Sequence, residues 1–190
     1  MSHFKLIASS LMVSCLLLLT ACATPPASTA ISEPDWEISG KIGIREPGSR
    51  PNTLLFNWQQ QQARYVIHLF NSIGQIQLTL SGNGQQATAI QPNGETHIAD
   101  SPEALLLQLT GWYFPVSSAR HWLQGRTDGH EHAIAYNDQA LPEQFTALQW
   151  HVTLNNYQPV QNKPLPHRIR LQQDQLTLTM IISDHARFTP

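Results

Sequence analysis

The chain has 190 residues, 41% of them hydrophobic, with a formal net charge of -2 at pH 7, enough apolar material for one domain with a sizeable core. Its eight Arg and three Lys are scattered without a basic run, so the electrostatic footprint of a nucleic-acid binder is absent. Charged residues make up 13%, about half the usual share of roughly 25%, and Gln, Asn, Thr and Ser fill the surface instead.

Taken in chain order, Lys5 leads into an apolar run from Leu6 to Thr20. That run is too short for a comfortable membrane span and reads as a secretory signal over residues 1–21. Its end, Leu19-Thr20-Ala21-Cys22, resembles the bacterial lipobox, in which small residues precede a cysteine that is lipidated and becomes the mature N-terminus. Cys15 lies inside the segment to be removed, so Cys22 is left without a disulfide partner. After Cys22 the stretch "ATPPASTAISEP" lacks periodicity and is rich in Pro, Ser, Thr and Ala. Residues 22–34 are therefore expected to form a flexible tether. The residue after the cysteine is Ala23, not the aspartate that commonly retains lipoproteins in the inner membrane, so resemblance to sorted lipoproteins implies the outer membrane.

Residues 35–190 read as a single folded domain, mainly β. Trp36, Ile38, Gly40, Ile42 and Ile44 fall on one face of a strand, and Leu54, Phe56 and Trp58 on one face of the next. Tyr65 to Phe70 is apolar on both faces, which predicts a strand covered on one side and contacted on the other. Asn71-Ser72-Ile73-Gly74 follows: Asn, Ser and Gly suit a turn, whereas Ile73 is β-branched and out of place at a hairpin tip. Alternation resumes with Ile76, Leu78 and Leu80, and further strands are expected in "QATAIQ", "ETHIA", "LQWHVTLNN", "HRIRLQQ" and "QLTLTMII". Between them, Ser101-Pro102-Glu103 reads as a capped helix start, and the helix ends at Gly111. Leu105, Leu106 and Leu109 form its inward stripe. A second short helix is expected from Ser117 to Gln124, stopped by Gly125. Many short antiparallel strands argue for a barrel or sandwich. Two apolar helices inserted midway must pack on a sheet face or plug a barrel mouth, an arrangement that suits a cavity with a lid.

The chemistry is sparse. His130-Glu131-His132 places two imidazoles on one strand face, but no third ligand stands in a convincing position and a solvated strand edge is the simpler account. There is no G-x-S-x-G and no carboxylate pair at catalytic spacing, so no enzyme, metal or cofactor is expected. Trp36, Trp58 and Trp150 lie on strands. Together with Phe56, Leu69 and Leu78 they either fill a core or line a concave apolar face able to hold a ligand.

The lipobox, the strands "WEISGKIGI" and "LLFNWQQ", the hairpin "YVIHLFNSIGQIQLTL" and the insert "LLLQLTGWYFPVSSARHWLQG" together resemble the LolB family of outer-membrane lipoprotein receptors. The most specific match is Leu109-Thr110-Gly111, Pro115, Ser118, Arg120, Trp122 and Gly125. The resemblance implies an unclosed antiparallel β-barrel around a hydrophobic cavity, with short helices as its lid. It also implies a monomeric receptor that accepts lipoproteins from the periplasmic carrier LolA and inserts them into the inner leaflet of the outer membrane. Cys22 would be the lipidation site. Asn71, Ile73 and Gly74 would belong to a membrane-delivery loop, with isoleucine where the family carries a protruding leucine and Ser72 where it carries proline. Trp36, Phe56, Trp58, Leu69, Leu78, Leu105, Leu109, Trp122 and Trp150 would line the acyl-chain cavity. The rival expectation is a structural or assembly lipoprotein of the envelope whose barrel core is merely packed.

Overall fold

A computed structural model describes residues 30–188; the signal segment, Cys22 and the first part of the tether lie outside the described residues. The domain is one antiparallel sheet of 11 strands flanking two helices. In chain order these are β1 (Trp36–Arg45), β2 (Asn52–Gln61), β3 (Arg64–Phe70), β4 (Ile76–Gly82), β5 (Ala87–Ile90) and β6 (Thr96–Ala99). Helices α1 (Pro102–Thr110) and α2 (Val116–Trp122) follow, then β7 (Glu131–Tyr136), β8 (Pro142–Ala147), β9 (Trp150–Val160), β10 (Lys163–Gln173) and β11 (Leu176–Phe188).

The strands are ordered β6-β5-β4-β3-β2-β1-β11-β10-β9-β8-β7, so the first and last strands meet in the middle and β6 and β7 are the two edges. Side chains from β1 to β5 and from β8 to β11 share one buried cluster, which requires the sheet to curl on itself without closing. The pairing is irregular where β1 meets β11. The register between them slips at Glu37/Ile38 and Ser39/Gly40, leaving Ser183 and Ala186 as extra residues on β11, and such bulges sharpen the local twist. A side chain at Gly40 would run into the backbone carbonyl of Ile181, so only glycine fits this close approach.

The inward set follows the expected alternation. Trp36, Ile38, Phe56, Trp58, Ile67 and Leu80 are all buried, and the rings of Trp36 and Trp58 pack with centroids 5.6 Å apart. The doubly apolar β3 is explained by the segment before β1. Ile31 is buried and lines the same outer-face recess as Val66. Its N–H donates to Gln59 Oε1 at 3.0 Å, and the Gln61 amide donates to the Glu33 carbonyl at 2.9 Å. The end of the expected tether is therefore laid against β2 and β3, because an isoleucine next to an apolar outer face gains more from burial than from solvent.

Candidate functional site: an apolar cavity beneath two helices

The helical segment bridges the two sheet edges. α1 begins as its local chemistry dictates: Ser101 Oγ accepts the Ala104 N–H at 3.1 Å, Pro102 takes the first turn, and Gly111 closes the helix at φ 80°. Glu103 does more than favour the helix start. It is buried, and its Oε1 accepts the Ser117 N–H at 2.7 Å, so one carboxylate joins the first turn of α1 to the first turn of α2. Burial together with the nearby Glu103 charge raises the Tyr65 phenol above its usual range. α2 spans a shorter stretch than the Ser117–Gln124 expectation, and the chain continues in turns to Gly125, at φ 65°.

Two tryptophans pin the far side of this segment. Trp122 is fully buried, packs against Phe145 with tilted rings 5.5 Å apart and donates its indole N–H to Glu131 at 2.7 Å. Glu131 also accepts the backbone N–H groups of Asp128 and Gly129. His130 and His132 are exposed while Glu131 points inward, so this carboxylate is committed to holding α2 against β7. Asp128 lies alongside. Burial would raise its pKa, but hydrogen bonds from Ser118 and His130 outweigh that and hold it below the usual value. Trp150, also fully buried, donates to the Tyr113 carbonyl at 3.0 Å, which ties the α1–α2 linker to β9.

Beneath the helices lies a cavity of about 70 Å³ walled wholly by apolar side chains. The sheet contributes Phe56, Trp58, Leu69 and Leu78, the helical segment Leu106, Phe114 and Val116. Four of the expected residues, Phe56, Trp58, Leu69 and Leu78, therefore meet at one space. The others do not reach it. Trp36 packs on Trp58 and faces a separate groove at the barrel end. Leu105 is fully buried and Leu109 half-buried, both packed into the core, and Trp122 and Trp150 fill the other half of the barrel with their N–H groups satisfied. Ile42, Ile67, Leu80 and Met180 also line the cavity. The first three sit on the same alternating faces as the expected residues; Phe114 and Val116 belong to a linker and helix start whose direction no periodicity reveals.

The Asn71–Gly74 turn stands at the end of the barrel nearest this cavity. Asn71 organises it: Oδ1 accepts the N–H groups of Ile73 and Gln75 at 3.1 and 3.0 Å, and the Gly74 N–H returns to the Asn71 carbonyl at 3.0 Å. Gly74 supplies φ 81°. Ile73 is left 76% exposed, the most exposed large hydrophobic side chain among the described residues. It does not stand alone, since Leu55 and Ile76 are exposed beside Phe70, and the register places Leu55, Phe70 and Ile76 side by side across three strands.

An open antiparallel sheet curled around two helices is a fold that this chain shares with a solved structure. The solved structure of a LolA superfamily protein from Nitrosomonas europaea matches 84% of this chain and 88% of its own length, with a TM-score of 0.52 at 10% identity. The chain itself belongs to the LolB family, because the profile described as "Outer membrane lipoprotein LolB" matches residues 34–184. Similar relatives are the outer-membrane lipoproteins LolB of Shewanella loihica, 26% identical over 100% of this chain and 93% of that protein, and of Tolumonas auensis, 28% identical over 95% and 97%. The LolB of Pseudomonas paraeruginosa is 33% identical over 81% of this chain and 76% of its own.

Proposed function

We propose that this protein is a lipoprotein receptor of the outer membrane. It takes lipoproteins from a LolA-type periplasmic carrier, shields their acyl chains beneath α1 and α2, and delivers them to the inner leaflet. It works as a monomer and by binding alone, without covalent chemistry, anchored through a lipid on Cys22. The observation that carries this reading is the wholly apolar cavity under a helical segment held by a few polar ties. A merely packed core needs no such space.

Each acyl methylene moved from water into an apolar site is worth about 0.8 kcal/mol, so partial enclosure of one chain already gives a strong ligand. About 70 Å³ is small against the roughly 300–1,000 Å³ of typical ligand sites. On this reading a chain is admitted only when α1 and α2 move outward. The bilayer, with greater capacity for the same chains, drives release without a nucleotide.

Ile73 is the point of delivery. Replacing it with glutamate removes apolar contact worth about 1.5–3 kcal/mol, and transfer to liposomes is expected to fall about ten- to a hundredfold. Folding and acceptance from the carrier remain, because the Asn71 hydrogen bonds do not involve the Ile73 side chain. Normal delivery by Ile73→Glu would refute the role of Ile73.

A further inference from the structure

At the barrel end opposite the Asn71–Gly74 turn, the start of β1, the β9–β10 turn and the end of α2 enclose a groove of about 890 Å³. Its walls carry Arg120, Arg126 and Lys163 against one carboxylate, Asp35. Asp35 already accepts the Gln62 N–H at 2.6 Å. Among the described residues no carboxylate lies within ion-pair distance of Arg120 or Arg126. Arg120 donates only its Nε–H, to His121 at 3.2 Å, and Arg126 one N–H to Gln124 at 2.6 Å, so both guanidinium groups keep donors for a ligand. Burial and the two arginines lower the His121 pKa and keep it a neutral acceptor for Arg120.

The groove is not isolated from the interior. A recess of about 90 Å³ shares Gln60, Ala63 and Arg120 with the groove, and Trp58 and Val116 with the apolar cavity. Asp100 also faces this recess. Arg120 therefore stands where a cationic groove meets the way into the apolar interior. An apolar chain alone asks nothing of these cations, whereas a guanidinium pair suits phosphate or carboxylate oxygens.

We propose that the groove is the headgroup site of an anionic amphiphile, its phosphate or carboxylate held by Arg120 and Arg126 and its chain directed past Trp58 and Val116 into the cavity. The proposal rests on the reading of the interior as a chain-binding site. Calorimetric titration of the full chain carrying Cys22→Ala with dodecyl phosphate, dodecanol and inorganic phosphate tests it. Dodecyl phosphate is expected to bind at least about tenfold more tightly than dodecanol, and inorganic phosphate far more weakly than either. Arg120→Gln and, independently, the more exposed Arg126→Gln should each shrink that preference while leaving dodecanol affinity unchanged. Equal affinities, or a preference that survives both substitutions, would overturn the proposal. Inorganic phosphate binding as tightly as dodecyl phosphate would make the groove a free-anion site and overturn it too. Dodecanol binding without any phosphate preference sinks this proposal alone; silence from both dodecyl ligands sinks the chain-binding reading and this proposal with it.

Discussion

His185 sits half-buried against His167, ring centroids 4.9 Å apart, and its Nε2 has no hydrogen-bond partner among the described residues. Burial lowers its pKa, helped by the neighbouring His167; burial lowers His68 and His121 as well. In the unfolded chain these imidazoles titrate near 6.5. As the pH falls through that value the unfolded state takes up protons that the folded state refuses, so stability is lost on acidification and is fully present above about pH 6.5. The thermal midpoint should accordingly be flat above about pH 7.5 and fall toward pH 5. His185→Phe, which keeps the ring and removes the titration, should fall less steeply; an unchanged slope would show that His185 contributes nothing. Among single residues, the exposed position of Ile73 was legible in sequence because its chemistry contradicts its turn. Trp122 and Trp150 were not, because the groups that hold their indoles, Glu131 and the Tyr113 carbonyl, give no sign at a distance that they are neighbours.

Among the elements, α1 and α2 are the pair whose movement the proposed function requires. Glu103 is their shared tie, and Glu103→Gln keeps its shape while removing the charge that strengthens the bond to the Ser117 N–H. The substitution should cost about 1–2 kcal/mol. Amide exchange should quicken across residues 102–122 more than in the strands, and uptake of an apolar dye should accelerate. Uniform exchange throughout the domain would mean that the helices do not open as a unit. The start of α1 was readable because Ser101, Pro102 and Gly111 act within a few residues of themselves. The role of Glu103 was hidden, since an acid in a first turn is ordinary and its partner lies 14 residues on. β8 was hidden for another reason. Its turn to β9 uses Leu148 and Gln149, both at positive φ of 49° and 70°, where Asn or Gly would have announced a hairpin.

For the whole molecule, strand alternation predicts a barrel or a sandwich equally, because both hide one face and show the other. What separates them is whether the chain's first strand meets its last, as β1 and β11 do, and whether the edges close, as β6 and β7 do not; neither is written in local sequence. The docking of Ile31 beside Val66 has a mechanical consequence. With the anchor proposed at Cys22, the nine residues from Cys22 to Ala30 precede Ile31, and a chain of that length spans at most roughly 30 Å when fully extended. Ile31 is held at one end of β3 and Ile73 follows its other end, so the seven residue steps from Val66 to Ile73 set them at most roughly 23 Å apart. On the proposed function the domain would be moored at one pole and unload at the other, with little spare length beyond that span. To touch its own membrane with Ile73 it must roll onto its side. Deleting five residues between Ala23 and Ala30 should spare acceptance from the carrier and abolish delivery into the membrane that holds the anchor. Delivery to separate liposomes, which needs no rolling, should survive; if both survive, the moored pole does not govern reach.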